Sequence, residues 1–261
     1  MAGQVIAERT GGIGWLVFDN PERHNAVSLE MWEQLAAAMR DFDADDEIRV
    51  IIVRGEGGKS FVSGADISKF ESERAAKDAV ERYDAATEAA YALLEDTPKP
   101  TIAMIEGYCI GGGANVALCC DLRIAGENAK FAIPAAKLGL GYGYSRIRRV
   151  IGMIGPAFAK EIFFTARQFT AAEAIAMGLV NRVVPNAELR EFVEHYAATI
   201  AENAPLTVTA IKQIVGEALK DPADRDLEHC AALVRACFES EDYVEGRAAF
   251  RERRKPVFKG R

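Results

Sequence analysis

The stretch Gly107-Tyr108-Cys109-Ile110-Gly111-Gly112-Gly113-Ala114-Asn115 decides the architecture, because an apolar run ends just before it and a run of small residues starts inside it. Thr101 to Ile105 reads as a strand, Ala114 to Cys120 as a small-residue helix, and Asp121 to Ala125 as the next strand. Strand, glycine turn, helix, strand is the grammar of a layered α/β fold. About forty residues upstream, Ser63-Gly64-Ala65-Asp66-Ile67 supplies a second glycine-bearing turn. Glycine lets main-chain amides approach a ligand closely, and a helix opening just after Gly113 adds a positive dipole end. Together the two segments suit the binding of an oxyanion, while either one alone is as well explained by a tight turn.

Toward the N-terminus, Gly14 to Phe18 and Val50 to Arg54 read as further strands. Between them Ser28 caps a helix with Glu30 in its first turn, and Trp32, Leu35, Met39 and Phe42 recur along one face as core residues. A second helix is expected from Arg74 to Glu95, ending before Pro98 and Pro100. Beyond about Ala171 the strand signal fades, and helices are expected over 171–177, 187–203, 206–219, 224–239 and 241–254. The division expected is an α/β core over 1–190 and a helical region over 191–261.

Composition narrows the function classes. With 261 residues and 49% hydrophobic content the chain can bury a sizeable core. A net charge of −7 disfavours a nucleic-acid partner, which needs a basic surface. The basic exception is local: Arg251, Arg253, Arg254, Lys255, Lys259 and Arg261 form either a solvated tail or a surface for the phosphates of a small anionic ligand. No apolar run is long enough to span a bilayer, so no membrane partner is expected and a cytoplasmic protein is. Five cysteines without a CxxC pair, and three histidines without metal-ligand spacing, predict reduced core thiols and no metal.

Two phosphate-binding patterns fail on spacing. Gly55 to Ser60 has Val53 where a Walker loop needs glycine, and Gly139, Gly141 and Gly143 alternate as GxGxG rather than GxGxxG.

PERHNAVS at 21–28, FVSGADI at 61–67, KPTIAMIEGYCIGGG at 99–113, CDLRIAGENAKFAIP at 120–134, TAAEAIAMGLVNRVVP at 170–185 and SEDYVEGRAAFRERRKPVF at 240–258 follow one another along nearly the whole chain. In these blocks and their order the chain resembles the crotonase, or enoyl-CoA hydratase/isomerase, superfamily. The resemblance implies a crotonase (ClpP-like) spiral core of ββα units with a helical C-terminal trimerisation region, and hence a homotrimer or a dimer of trimers. It implies an acyl-CoA substrate, with coenzyme A as part of that substrate and no tightly bound cofactor. The main-chain N–H groups of Ala65 and Gly112 would form the oxyanion hole. Arg23, Asn25, Ala26 and Val27, together with Gly64, Asp66, Ile67, Gly111, Pro134 and Ala135, would line the cleft, Asp66 as a structural acceptor rather than a base.

The chain departs from the family's hydratases at both catalytic carboxylates. One glutamate would stand three residues after the oxyanion glycine, where this chain has Asn115, and the other just after the proline of FxxP, where it has Ala135. Adding water across a double bond needs a group that takes and returns a proton, and an amide cannot. Tyr142, soon after Leu138-Gly139, and SEDYVEG near the C-terminus resemble the methylmalonyl-CoA decarboxylase branch, although that branch has histidine where this chain has Ala65. Decarboxylation leaves its electron pair in a thioester enolate without a base. The leading expectation is therefore a lyase acting on a 2-carboxyacyl-CoA, with Asn115 or Tyr142 orienting the carboxylate, or Tyr142 protonating the enolate. The alternatives are a hydratase or isomerase with displaced acid/base groups, and a CoA-thioester binder without catalysis. Tyr144, Ser145 and Arg146 read as a surface loop.

Overall fold

The computed structural model describes residues 3–66 and 77–261. In chain order the strands are β1 (Gln4–Thr10), β2 (Ile13–Asp19), β3 (Val50–Gly55), β4 (Ser60–Val62) and β5 (Thr101–Ile105). They continue with β6 (Tyr108–Ile110), β7 (Leu122–Gly126), β8 (Lys130–Ala132), β9 (Phe169–Thr170) and β10 (Arg182–Val184). The helices of the core are α1 (Leu29–Asp43), α2 (Lys77–Asp96), α3 (Gly112–Cys119), α4 (Tyr144–Thr165) and α5 (Ala171–Ala176). Four more follow: α6 (Leu189–Ala201), α7 (Pro205–Ala218), α8 (Leu227–Glu239) and α9 (Glu241–Glu252).

Six strands form one sheet in the order β1-β2-β3-β5-β7-β10, antiparallel only where β1 meets β2 in a hairpin. A smaller sheet runs β4-β6-β8-β9 and is antiparallel only at its β8–β9 edge. The chain advances by one repeated step: a strand in the large sheet, a short strand in the small sheet, then a helix. β3-β4-α2, β5-β6-α3 and β7-β8-α4 are three turns of this spiral of ββα units, the architecture that the family resemblance implies.

The strand sequences explain why the large sheet is internal. Parallel strands covered on both faces read as continuous apolar runs, and Val50 to Val53 and Thr101 to Ile105 are buried throughout. The two-residue alternation then sorts them: Leu16, Phe18, Ile51, Val53, Ala103 and Ile105 face a core shared with α1, α2 and α3. Trp15, Val17, Val50, Ile52, Ile102 and Met104 face the opposite way, onto Leu189, Val193 and Ala197 of α6. On α1, Ser28 accepts from the Met31 amide at 3.4 Å, and Trp32, Leu35, Met39 and Phe42 are buried as their spacing predicts.

Several expectations are corrected. α3 starts at Gly112 rather than Ala114, since a glycine with left-handed φ precedes it. Tyr144, Ser145 and Arg146 are not loop but the first turn of α4, whose helical signal is broken by a kink at Gly155, φ +71°, before Pro156. Arg182–Val184, in the region where no strand was expected, closes the large sheet beside β7. Cys230 and Cys237 are half-buried on α8 rather than core residues. The expected start of the second helix at Arg74, like Ile67, lies outside the described residues.

The basic tail is engaged within its own chain: Arg254 pairs with Glu245 at 2.6 Å, Lys255 with Glu202 at 2.6 Å and Arg261 with Glu241 at 3.4 Å. Among the described residues no helix is long and apolar enough to cross a membrane, and no group of three metal-ligating side chains converges.

One local element carries a pH dependence. At the start of α5, Thr170 and Glu173 form a reciprocal capping box, and Arg167 adds a bond to Glu173 at 2.8 Å. The Thr170 amide, then Arg167 and the Thr170 hydroxyl, hold the Glu173 carboxyl down at about 2, from an ordinary 4.5. A depressed carboxyl stabilises the fold above its unfolded value and loses that contribution as pH falls toward the folded one. Glu173→Gln is therefore expected to flatten the acid limb of a thermal-melt series between about pH 4.5 and about pH 2, leaving the neutral-to-acid difference in Tm smaller than in the parent.

Candidate active site

The two glycine-bearing turns meet where β4 and β6 end side by side. Val27 bridges to Ala65, its amide donating to the Gly64 carbonyl at 2.9 Å and its carbonyl accepting from the Asp66 amide at 3.0 Å. On the neighbouring strand the Gly111 amide donates to Ala132 at 2.8 Å. The two amides between these bonds, Ala65 N–H and Gly112 N–H, donate to no other described residue.

They are also close together. A Cβ built on Gly64 would lie 3.5 Å from the Gly112 nitrogen, and one built on Gly112 would lie 3.8 Å from the Ala65 nitrogen. Each donor follows a glycine with φ in the left-handed region, Gly64 at +107° and Gly111 at +56°, so the peptide turns in a way that a side chain would resist. Gly112 is the first residue of α3, whose opening amides have no helical acceptors and carry the positive end of the helix dipole. Two unpaired N–H groups beside each other are what an oxyanion hole requires.

A cleft of about 520 Å³ opens on this pair. Gly64, Ala65, Gly111, Gly112, Asn115, Pro134, Ala135 and Tyr142 all line it, so the fold brings together most of the site residues expected from sequence. Arg23, Asn25, Ala26, Val27 and Asp66 stand outside that lining. Asn25 is fully buried and spends its side chain on the Asn20 amide and on the Glu56 and Ser60 carbonyls. Ala26 and Val27 also turn inward, leaving Arg23 as that segment's exposed cation. Asp66 accepts from Arg23 Nη1 at 3.3 Å.

The polar heart of the cleft is Asn115 with Tyr142. Asn115 Nδ2 donates to the Gly111 carbonyl at 3.1 Å and also to the Tyr142 hydroxyl oxygen. The carbonyl fixes which end of the amide points inward, because a flipped amide would set oxygen against oxygen. Tyr142 oxygen is thus an acceptor from Asn115, and its own proton remains available to a ligand. Asn115 Oδ1 is buried without a partner among the described residues. Burial raises the Tyr142 hydroxyl above its ordinary 10.0, against the opposing pull of the Asn115 bond, so it is a neutral acid in the working range. Its ring is held edge-on to Phe163 at 4.9 Å.

The opposite wall comes from α2, whose individual residues escaped the sequence reading. Asp84, Glu88 and Tyr91 share one helical face toward the cleft, with Arg146 of α4 donating to Glu88 at 2.8 Å. Their spacing of four and three was the available signal, but an amphipathic helix does not announce which neighbour its polar face meets.

Comparison with known proteins places this geometry. The family described as enoyl-CoA hydratase/isomerase matches residues 8–261. The crotonyl-CoA hydratase of Syntrophomonas wolfei is 35% identical over 254 residues, covering 97% of each chain. The carnitinyl-CoA dehydratase of Salmonella typhi is 35% identical over 265 residues and covers 100% of each. The crystal structure of an enoyl-CoA hydratase/carnithine racemase from Magnetospirillum magneticum superposes with a TM-score of 0.92 at 37% identity, covering 98% of this chain and 96% of that one. With a spiral ββα core and a family match running from residue 8 to residue 261, this chain belongs to the enoyl-CoA hydratase/isomerase family, the crotonase superfamily.

Proposed function

We propose that this acyl-CoA enzyme is a lyase that releases carbon dioxide from a 2-carboxyacyl-CoA through a thioester enolate. The observation that carries the reading is the Asn115–Tyr142 pair beside two free amides, with Ala135 as an apolar wall where a hydratase of the family would place a carboxylate. The thioester oxygen sits between Ala65 N–H and Gly112 N–H. The bond from Cα to the carboxylate carbon breaks, carbon dioxide leaves, and the electron pair enters the enolate held by those amides. Cα then takes the Tyr142 proton, and the tyrosinate regains one from solvent. A glutamate at 135 would repel the substrate carboxylate, whereas alanine disfavours its charge in the ground state and so favours its departure.

A second reading has its own support: Asp84 and Glu88 line the same cleft, and relatives carry hydratase and dehydratase names. In it one of these carboxylates activates water for addition to an enoyl-CoA. The Glu88 carboxylate is already engaged by Arg146, which ranks this reading second.

A panel of 2-carboxyacyl-CoA and 2-enoyl-CoA thioesters, followed by mass spectrometry, separates the two. Loss of 44 mass units from malonyl-type thioesters is expected, with Ala135→Glu suppressing it by roughly ten-fold or more. Rapid gain of water by the enoyl thioesters, with malonyl types left intact, would overturn the lyase reading in favour of the second. Tight binding without turnover of either would make the chain a binder.

The same reading includes assembly. Leu219, Leu227, Phe238 and Phe250 on and around α7, α8 and α9 are 61–85% exposed, an apolar surface suited to contacts with further copies in a homotrimer or a dimer of trimers.

A further inference from the structure

We infer that Tyr91 is a positioning residue of the oxyanion hole, holding Gly112 so that its N–H faces the thioester oxygen. The inference rests on the oxyanion-hole reading and not on which reaction follows it. Tyr91 is buried near the C-terminal end of α2, and its hydroxyl donates to the Gly112 carbonyl at 3.2 Å. The hydroxyl oxygen also lies 3.5 Å from where a Cβ of Gly112 would stand, the side of Gly112 that faces Gly64 Cα at 3.6 Å and the Ala65 nitrogen at 3.8 Å. It therefore approaches Gly112 from the cleft, beside the second oxyanion donor.

This bond is not needed to build α3, because a first-turn carbonyl already serves the amide four residues on. It is placed where the chain is softest. Gly111 and Gly112 have no side chains to restrict rotation about their bonds; Asn115 holds the Gly111 carbonyl, in the peptide that carries the Gly112 N–H, so the peptide on the other side of Gly112 is the one that needs an outside restraint. Tyr91 supplies one from a fixed ring, set edge-on to Trp32 at 5.3 Å and flanked by the guanidinium carbons of Arg146 and Arg149 at 5.6 and 5.9 Å from its centroid. Those arginines are tied in turn to Glu88 and Glu95 of α2. Burial, with Tyr142 nearby, keeps the Tyr91 hydroxyl well above its ordinary range, so it remains a donor throughout the working pH.

The alternative is that the hydroxyl bonds to Gly112 only because a buried phenol needs an acceptor. The test is the carbonyl stretch of a bound, unreactive acyl-CoA labelled with ¹³C at the thioester carbonyl, recorded for the parent and for Tyr91→Phe by infrared difference. The parent is expected to move the band to lower frequency than in solution. Tyr91→Phe is expected to lose a large part of that movement, with kcat lower by about ten-fold and KM nearly unchanged. Ile52→Val, a core change on the far face of the large sheet, is expected to leave the band alone and serves as the control for lost stability. A full shift in Tyr91→Phe overturns the inference and leaves the oxyanion hole standing; no shift in the parent removes both. Should Tyr91→Phe not fold, Tyr91→Met keeps an adaptable apolar side chain and is read in the same way.

Discussion

Replacing Gly111 by alanine is expected to lower kcat by roughly 10²–10³-fold, the loss typical of removing one oxyanion donor. The residue has φ +56° and ψ −113°, a region closed to L side chains, yet a Cβ there would meet nothing within 4 Å. The penalty is thus conformational rather than steric, of order 1–3 kcal/mol, and the chain relieves it by rotating the peptide that carries the Gly112 N–H. Gly11 is the natural control: it also has positive φ, at +58°, with nothing within 4 Å, and sits in the β1–β2 hairpin turn. Gly11→Ala is expected to cost a similar amount of stability and to leave kcat unchanged. Equal loss of activity in both variants would mean that Gly111 matters only for folding.

The second large effect is expected at Tyr142. Tyr142→Phe keeps the ring against Phe163 and leaves Asn115 its bond to Gly111, removing only the hydroxyl proposed as the acid. A fall in kcat of about 10²–10⁴-fold is expected, with KM nearly unchanged, because the proton is delivered after the substrate is bound. The pH profile gives the sign. A hydroxyl raised above 10.0 by burial keeps its proton through neutrality, so parent activity should hold across neutral pH and decline only on the alkaline side, beyond the ordinary tyrosine range. A decline starting near pH 6 would instead point to a carboxylate or histidine as the working group.

How far the sequence foretold the molecule depends on how local the information is. The strands of the large sheet at 14–18, 50–54 and 101–105 were legible because burial on both faces leaves a nearly continuous apolar run, whereas the one at 121–125, which carries Asp121 and Arg123, was read from its place after the small-residue helix. β4, β6 and β8 were not, since three residues such as Ser60–Val62 are too few to show a period and are strands only through each other. Tyr144 to Arg146 misled because the glycines before them and Gly155-Pro156 after them interrupt the helical pattern of α4.

The site divides in the same manner. In the proposed oxyanion hole Ala65 and Gly112 act through main-chain amides, so their side chains carry no signal, and only the glycines before them and the family resemblance pointed to them. Asn115 and Tyr142 stand 27 positions apart; sequence singled out Asn115 as the site of one absent hydratase glutamate and Tyr142 as the tyrosine soon after Leu138-Gly139, but carried no signal that the two would be bonded. Asp84, Glu88, Tyr91 and Arg146 could not be assigned at all, because the face of α2 that meets the cleft is chosen by how α2 packs on α3 and α4.

The most direct measurement is a crystal structure of this chain with an uncleavable acyl-CoA analogue. The account predicts the thioester oxygen about 2.7–3.1 Å from both the Ala65 and Gly112 nitrogens, with the acyl carbon bearing the departing group turned toward Asn115 and Tyr142. A thioester carbonyl lying away from either amide, or a side chain occupying the space between them, would contradict it.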